Sequence, residues 1–201
     1  MKKIKNMKKV IVILSIFLAA TAAIAQSDSA RIFKPFKVDV SVGFALPLGG
    51  SSATKVGFLF VIEPKYAVAE QFAIGLRLEL AAMARGTVIN GYDFTGDVQG
   101  NGSYLATGDY YFNNNKFRPF IGAGAGLYQI GTANYNSINP SYPTNIPTDN
   151  KFGFMFRGGF EAGHFRLGIE YNAVGKSQYS EHNSYIGFKV GTCFGGGRYK
   201  K

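Results

Sequence analysis

The chain of 201 residues is long enough for one domain with a sizeable core, and 22 basic residues against 12 acidic ones give it a formal net charge of +10. Its single cysteine, Cys193, excludes an internal disulfide framework. The basic excess comes without a nucleic-acid reading motif, which argues against a nucleic-acid partner.

The first 26 residues, MKKIKNMKKVIVILSIFLAATAAIAQ, have the three parts of a secretory signal. Lys2, Lys3, Lys5, Lys8 and Lys9 form the positive region, residues 10–20 the apolar stretch, and Ala23-Ile24-Ala25 an A-x-A cleavage site. Cleavage between Ala25 and Gln26 is therefore expected. The alternative, a membrane anchor helix, is disfavoured by the short apolar run. A lipoprotein would need a cysteine at the cleavage site, and Cys193 is far from it. Five of the 22 basic residues leave with the signal, so the mature balance falls to 17 basic against 12 acidic. The remaining excess sits mostly at the two ends, at Arg31, Lys34 and Lys37 and at Arg198, Lys200 and Lys201.

After the signal the hydrophobic period is 2 throughout, the signature of strands with one apolar and one polar face. Eight strands are predicted, at about residues 37–46, 56–68, 72–84, 103–112, 118–130, 152–162, 165–173 and 185–194. No segment has helical period. Short links, at about 69–71, 113–116 and 163–164, alternate with long ones at 47–55, 85–102, 131–150 and 175–184. The segment Phe154–Tyr171 fixes one register by itself. Its apolar parity flips across Gly163-His164, as a two-residue hairpin turn requires. Pairing the arms sets Glu161 opposite Arg166, Arg157 opposite Glu170, Phe160 opposite Leu167 and Phe156 opposite Tyr171. A short second turn likewise sets Glu63 opposite Arg77.

Twelve charged residues, six acids and six bases, fall on the polar parity: Asp39, Glu63, Lys65, Arg77, Glu79, Asp109, Arg118, Arg157, Glu161, Arg166, Glu170 and Lys189. Cys193 shares that parity and reads as a small packing residue. Alternation alone cannot distinguish a soluble lipocalin-like barrel from a membrane barrel with its apolar face outward. The signal, the alternating link lengths and the glycines on the polar parity favour the membrane. So do aromatic residues near the strand ends: Tyr66, Phe72, Tyr110, Phe112, Phe117, Phe165 and Phe194. The expected fold is all-β, an eight-stranded antiparallel up-and-down transmembrane β-barrel behind a cleaved signal peptide. Residues 1–25 would be the signal, 26–36 a periplasmic segment, 37–194 the barrel and 195–201 a basic tail. Both termini would be periplasmic.

Three stretches, NNNKFRPFIGAGAGLY, GGFEAGHFRLGIEYN and SYIGFKVGTCF, resemble the outer-membrane β-barrel domain proteins common in Bacteroidetes, which are similar to small OmpA- and OmpX-like barrels. The resemblance covers about residues 37–194 and brings no catalytic motif. It implies outer-membrane lipid and the assembly machinery as partners. Such barrels often end on an aromatic residue, whereas here Phe194 is followed by GGGRYKK.

Eight strands leave an interior that side chains fill, and twelve inward charges would block it further. The expected function is therefore structural or surface-interactive, through the long extracellular loops. The 131–150 loop is the best candidate for binding an unknown surface ligand or protein, with Tyr135, Asn136, Tyr142 and Asn145 as its recognition residues. A narrow porin-like passage is the alternative. A lipid A acyl hydrolase built on His182 and Ser184 is a remote one, because adjacent loop residues are not a triad. No cofactor or metal is expected.

Overall fold

The computed structural model describes residues 32–48, 56–89, 93–135, 148–176 and 183–199. Eight strands follow one another: β1 (Phe36–Pro47), β2 (Gly57–Ala69), β3 (Phe72–Ile89), β4 (Asp93–Tyr111), β5 (Phe117–Tyr135), β6 (Thr148–Ala162), β7 (Phe165–Val174) and β8 (Tyr185–Gly195). Each pairs antiparallel with its chain neighbours, and β8 pairs with β1, closing the barrel. Closure leaves no sheet edge, so every strand has hydrogen-bonding partners on both sides.

Alternation set the hairpin register. In β6–β7, Ala162 faces Phe165, Glu161 faces Arg166 and Arg157 faces Glu170. The turn between them holds Gly163 at a φ of 63°, in the left-handed region that glycine enters without penalty. In β2–β3, the pairs Ile62–Leu78 and Lys65–Gly75 bracket Glu63 and Arg77 in the expected frame, and a bulge between Ala67 and Ala69 shortens the turn to Glu70-Gln71.

Two of the long links are shorter than their composition suggests. Strands β3 and β4 stay paired out to Ile89 and Asp93, through most of the stretch expected to be loop. Strand β5 continues to Tyr135 and β6 begins at Thr148. These stretches carry little apolar alternation in sequence, so the two-residue pattern does not mark them as strand. The cleavage positions Ala25 and Gln26, the loop residues Asn136, Tyr142 and Asn145, and His182 lie outside the described residues, while Tyr135 ends β5.

The apolar parity points outward. Phe44, Phe58, Leu76, Leu80, Ile121, Leu127, Phe154, Phe156, Ile169 and Phe188 are all exposed around the wall. A soluble monomer rarely shows an apolar patch above a few hundred Å². Here the patch runs round all eight strands. At the end carrying the short turns it finishes in an aromatic girdle of Phe36, Tyr66, Phe72, Tyr110, Phe112, Phe117, Phe165 and Phe194. Neighbouring rings touch, with Tyr110 and Phe112 centroids 5.6 Å apart and Phe117 and Phe160 4.9 Å apart.

Candidate functional site

The opposite parity fills the lumen, in two halves. Toward the long links lies an apolar plug: Leu59, Val61, Met83, Leu105, Ile130 and Met155 are buried together, with Tyr128 and Tyr185 beneath them. Toward the short turns lies a charged network. All twelve polar-parity ions point into the barrel, eleven of them nearly inaccessible and Lys189 with its side chain 10% exposed. Lys37, assigned from sequence to the terminal basic residues, is a thirteenth member, 7% exposed. Its odd position in β1, shared with Asp39 and Ser41, was the available signal.

The network divides into three tiers. Nearest the turns, Lys37 binds Glu161 and donates to the Tyr111 hydroxyl at 2.9 Å. Arg166 donates to Glu161 at 3.2 Å, to Tyr111 at 3.0 Å and to Asp109 at 2.8 Å, and lies over the Phe120 ring at 3.6 Å. In the middle tier Arg157 grips Glu63 with both terminal nitrogens, each at 2.7 Å, and donates from Nε to Asp109 at 2.8 Å. Lys65 sits 2.6 Å from both Asp39 and Asp109, and Thr107 donates to Glu63 at 2.6 Å. Below the plug, Arg77 binds Glu79 and Glu170, Lys189 lies 2.5 Å from Glu170, and Tyr185 donates to Glu79. Tyr128 donates to Asn172 at 2.8 Å, and Asn172 donates to Glu170 at 3.2 Å, which ties the network to the plug.

Two of the expected cross-strand pairs hold their register but bind other partners. Arg157 and Glu170 face each other in register, yet Arg157 pairs with Glu63 and Asp109 while Glu170 pairs with Arg77 and Lys189. Glu63 and Arg77 likewise pair elsewhere. Long side chains reach across a narrow lumen more easily than they bend toward a ladder neighbour beside them. Glu161 and Arg166 do pair, at 3.2 Å. Arg118 has a different environment: its guanidinium lies over the Tyr111 ring at 3.9 Å and over Phe33 at 4.5 Å.

Glycines give these ions room. A Cβ on Gly122 would stand 2.1 Å from the Asp109 carboxylate and 3.0 Å from Arg157 Nε. A Cβ on Gly187 would press on Glu170 and Leu59 at about 3 Å. A cavity of about 20 Å³ remains between Asp39, Ser41, Glu63, Arg157, Arg166 and Lys189, space for about one water. Cys193 is 2% exposed and its sulfur lies 4.0 Å from Lys37 Nζ. It also approaches Asp39 and Glu161, but the Lys37 ammonium already occupies the position a metal ion would take. Ser184 contacts the backbone of Val174 at 3.2 Å, and His164 sits at the opposite end, its Nδ1 2.6 Å from the Cys193 carbonyl.

An outward apolar wall around a charged, filled lumen is the arrangement of a membrane barrel, and comparison with known proteins agrees. The outer membrane protein beta-barrel domain matches residues 14–191. The chain belongs to this family. It is an outer-membrane protein, and its wall faces lipid. No curated protein matches it by sequence. Among solved structures it is similar to Neisserial surface protein A, with a TM-score of 0.59 at 14% identity over 81% of this chain and 98% of that one. It is also similar to Ail, the attachment invasion locus protein of Yersinia pestis, with a TM-score of 0.44 at 13% identity over 85% of this chain and 100% of that one. At these identities the likeness concerns the fold.

Proposed function

We propose that the protein is a closed outer-membrane barrel that acts through its surface loops as a structural or partner-binding protein. The observation that carries this reading is the filled lumen. Leu59, Tyr128, Ile130, Met155 and Tyr185 have no measurable exposure, and beneath them the ions are bound to one another. Solute passage would require both the plug and the ion pairs to part. The network is therefore a brace for the barrel, and the narrow porin-like passage is the weaker reading. Signal cleavage between Ala25 and Gln26 would deliver the mature chain to the outer membrane. Both termini would then be periplasmic and the long links extracellular, with the loop containing Asn136, Tyr142 and Asn145 as the recognition surface. The protein would not be an enzyme: Ser184 supports the β7 backbone, and His164 lies at the far end of the barrel. The resemblance to Bacteroidetes-type barrels fits this role.

Single-channel recording of the purified, folded protein in a planar bilayer tests the closed lumen. Silence is expected, and stable openings that change when Arg157 or Arg166 is neutralised would overturn it. Binding of intact cells to surface and matrix material, with and without residues 136–147, tests the loop. Equal binding by the deletion would remove the recognition role from that loop.

A further inference from the structure

The described segments that flank the barrel, residues 32–35 and 196–199, do not hang free of the turn-end mouth. At the end of β8, Gly195 and Gly196 adopt φ values of 83° and 66° and turn the chain back over the opening. Phe33 and Arg198 then form an antiparallel bridge. Lys34 N donates to the Gly197 carbonyl at 2.9 Å, and Tyr199 N donates to that of Ile32 at 3.0 Å. This short ribbon is fastened to two different turns. Ile32 N donates to the Glu70 carboxylate at 2.7 Å, in the β2–β3 turn, and Arg198 donates to the Asn114 carbonyl at 2.8 Å, in the β4–β5 link.

Two guanidinium groups contact the Phe33 ring, Arg118 at 4.5 Å and Arg198 at 5.3 Å from its centroid. Arg118 explains why the ring is there. It is only 8% exposed, and among the described residues no carboxylate lies within ion-pair distance of it. Glu161, which faces it in the ladder, is taken by Lys37 and Arg166. What Arg118 has is two aromatic faces, Tyr111 from the barrel and Phe33 from the ribbon. Such contacts suit a desolvated cation. Without Phe33, Arg118 would stand in an open mouth. A cavity of about 20 Å³, bounded by Phe33, Lys37, Tyr111, Arg118 and Glu161, lies beneath the ribbon.

We propose that the paired terminal segments form a strap that seals the turn-end mouth of the lumen, latched by the contacts of Phe33 with Arg118 and Arg198. The lumen is then closed at both ends, by the apolar plug at one and by the strap at the other. The strap joins the segment before β1 to the segment after β8, so it forms only once those two strands have met.

Cys193, the only thiol and two residues inside the end of β8, reports on the seal. The experiment follows its modification by a small anionic methanethiosulfonate in the folded protein, in micelles, with folding checked by heat-modifiable gel mobility. The variants are Phe33→Ala, Arg198→Ala, their combination, and a chain ending at Gly195, with Cys193→Ser as the blank. Wild-type protein should resist labelling under conditions that fully modify the unfolded chain. The folded strap variants should label about tenfold faster or more, as a local opening made easier would require. Wild-type protein that labels as fast as the variants would overturn the proposal, and so would folded variants as protected as wild type. Arg198 is exposed and outside the strands, so Arg198→Ala keeps the test open if the truncation fails to fold.

Discussion

Replacing Arg157 by methionine should be among the most damaging single changes in the barrel. Methionine keeps the unbranched stem of the side chain and removes the guanidinium with its charge. Three charge-assisted hydrogen bonds vanish, two to Glu63 and one to Asp109. The two carboxylates are not affected equally. Asp109 retains Lys65 at 2.6 Å and Arg166 at 2.8 Å. Glu63 retains only Thr107 at 2.6 Å and Lys65 at 3.4 Å, in a site 2% exposed. The loss therefore falls on Glu63, and breaking a buried ion pair from one side costs about 3–5 kcal/mol. Adding Glu63→Gln removes the stranded charge, so the double variant should recover about 1 kcal/mol or more of that loss. Equilibrium urea unfolding in micelles measures both. Far-UV circular dichroism is the natural probe, since the chain has no tryptophan. A single variant losing less than about 1 kcal/mol, or a double variant worse than the single one, would refute the view that this pair braces the lumen.

Three further outcomes test other parts of the barrel. Gly122→Ala puts a methyl against the Asp109 carboxylate and 2.8 Å from the Gly108 carbonyl, and should cost about 1–3 kcal/mol in the same unfolding assay. A Cβ at Gly163 meets no atom beyond its chain neighbours within 4 Å, so the cost of Gly163→Ala should be conformational alone, about 1–2 kcal/mol from the positive φ. Leu78→Arg places a charge on the lipid-facing wall of β3, and reversible unfolding from liposomes should show a loss of about 2–4 kcal/mol, with little effect if the wall does not face lipid.

The fold was legible because two-residue periodicity carries both the strand assignment and the register. The parity flip at Gly163-His164 was enough to align Phe160 with Leu167 and Glu161 with Arg166. Parity also separated the polar-facing ions from the apolar wall, but it could not choose their partners. Arg157 and Glu63 are 94 residues apart, and Arg77 and Glu170 are 93 apart. Those contacts exist only because a closed barrel brings non-neighbouring strands together across its lumen, which no local pattern encodes. The plug was harder still to read. Leu59, Leu105 and Met155 sit on the polar parity, where apolar residues look like noise until Ile130 and Met83 are seen beside them. The glycine-rich end after Phe194 reads as a loose tail; only Phe33, before the first strand, reveals what it packs against.

The β1–β8 seam has a consequence for how the barrel forms. Seven of its eight ladders join consecutive strands and can grow as hairpins, whereas this one brings together residues as distant as Lys37 and Cys193, 156 apart. Contacts of that sequence separation slow folding. They also govern the ions, because a sheet not yet curled into a cylinder leaves Glu63 without Arg157 and Arg77 without Glu170. Open sheets in the bilayer would carry unpaired charges at about 2–4 kcal/mol each for arginine or lysine near the midplane. Partly closed forms are therefore penalised in proportion to the number of ions they strand. Assembly should proceed as a slow, nearly all-or-none event, with the polar lumen acting as a proofreader of closure.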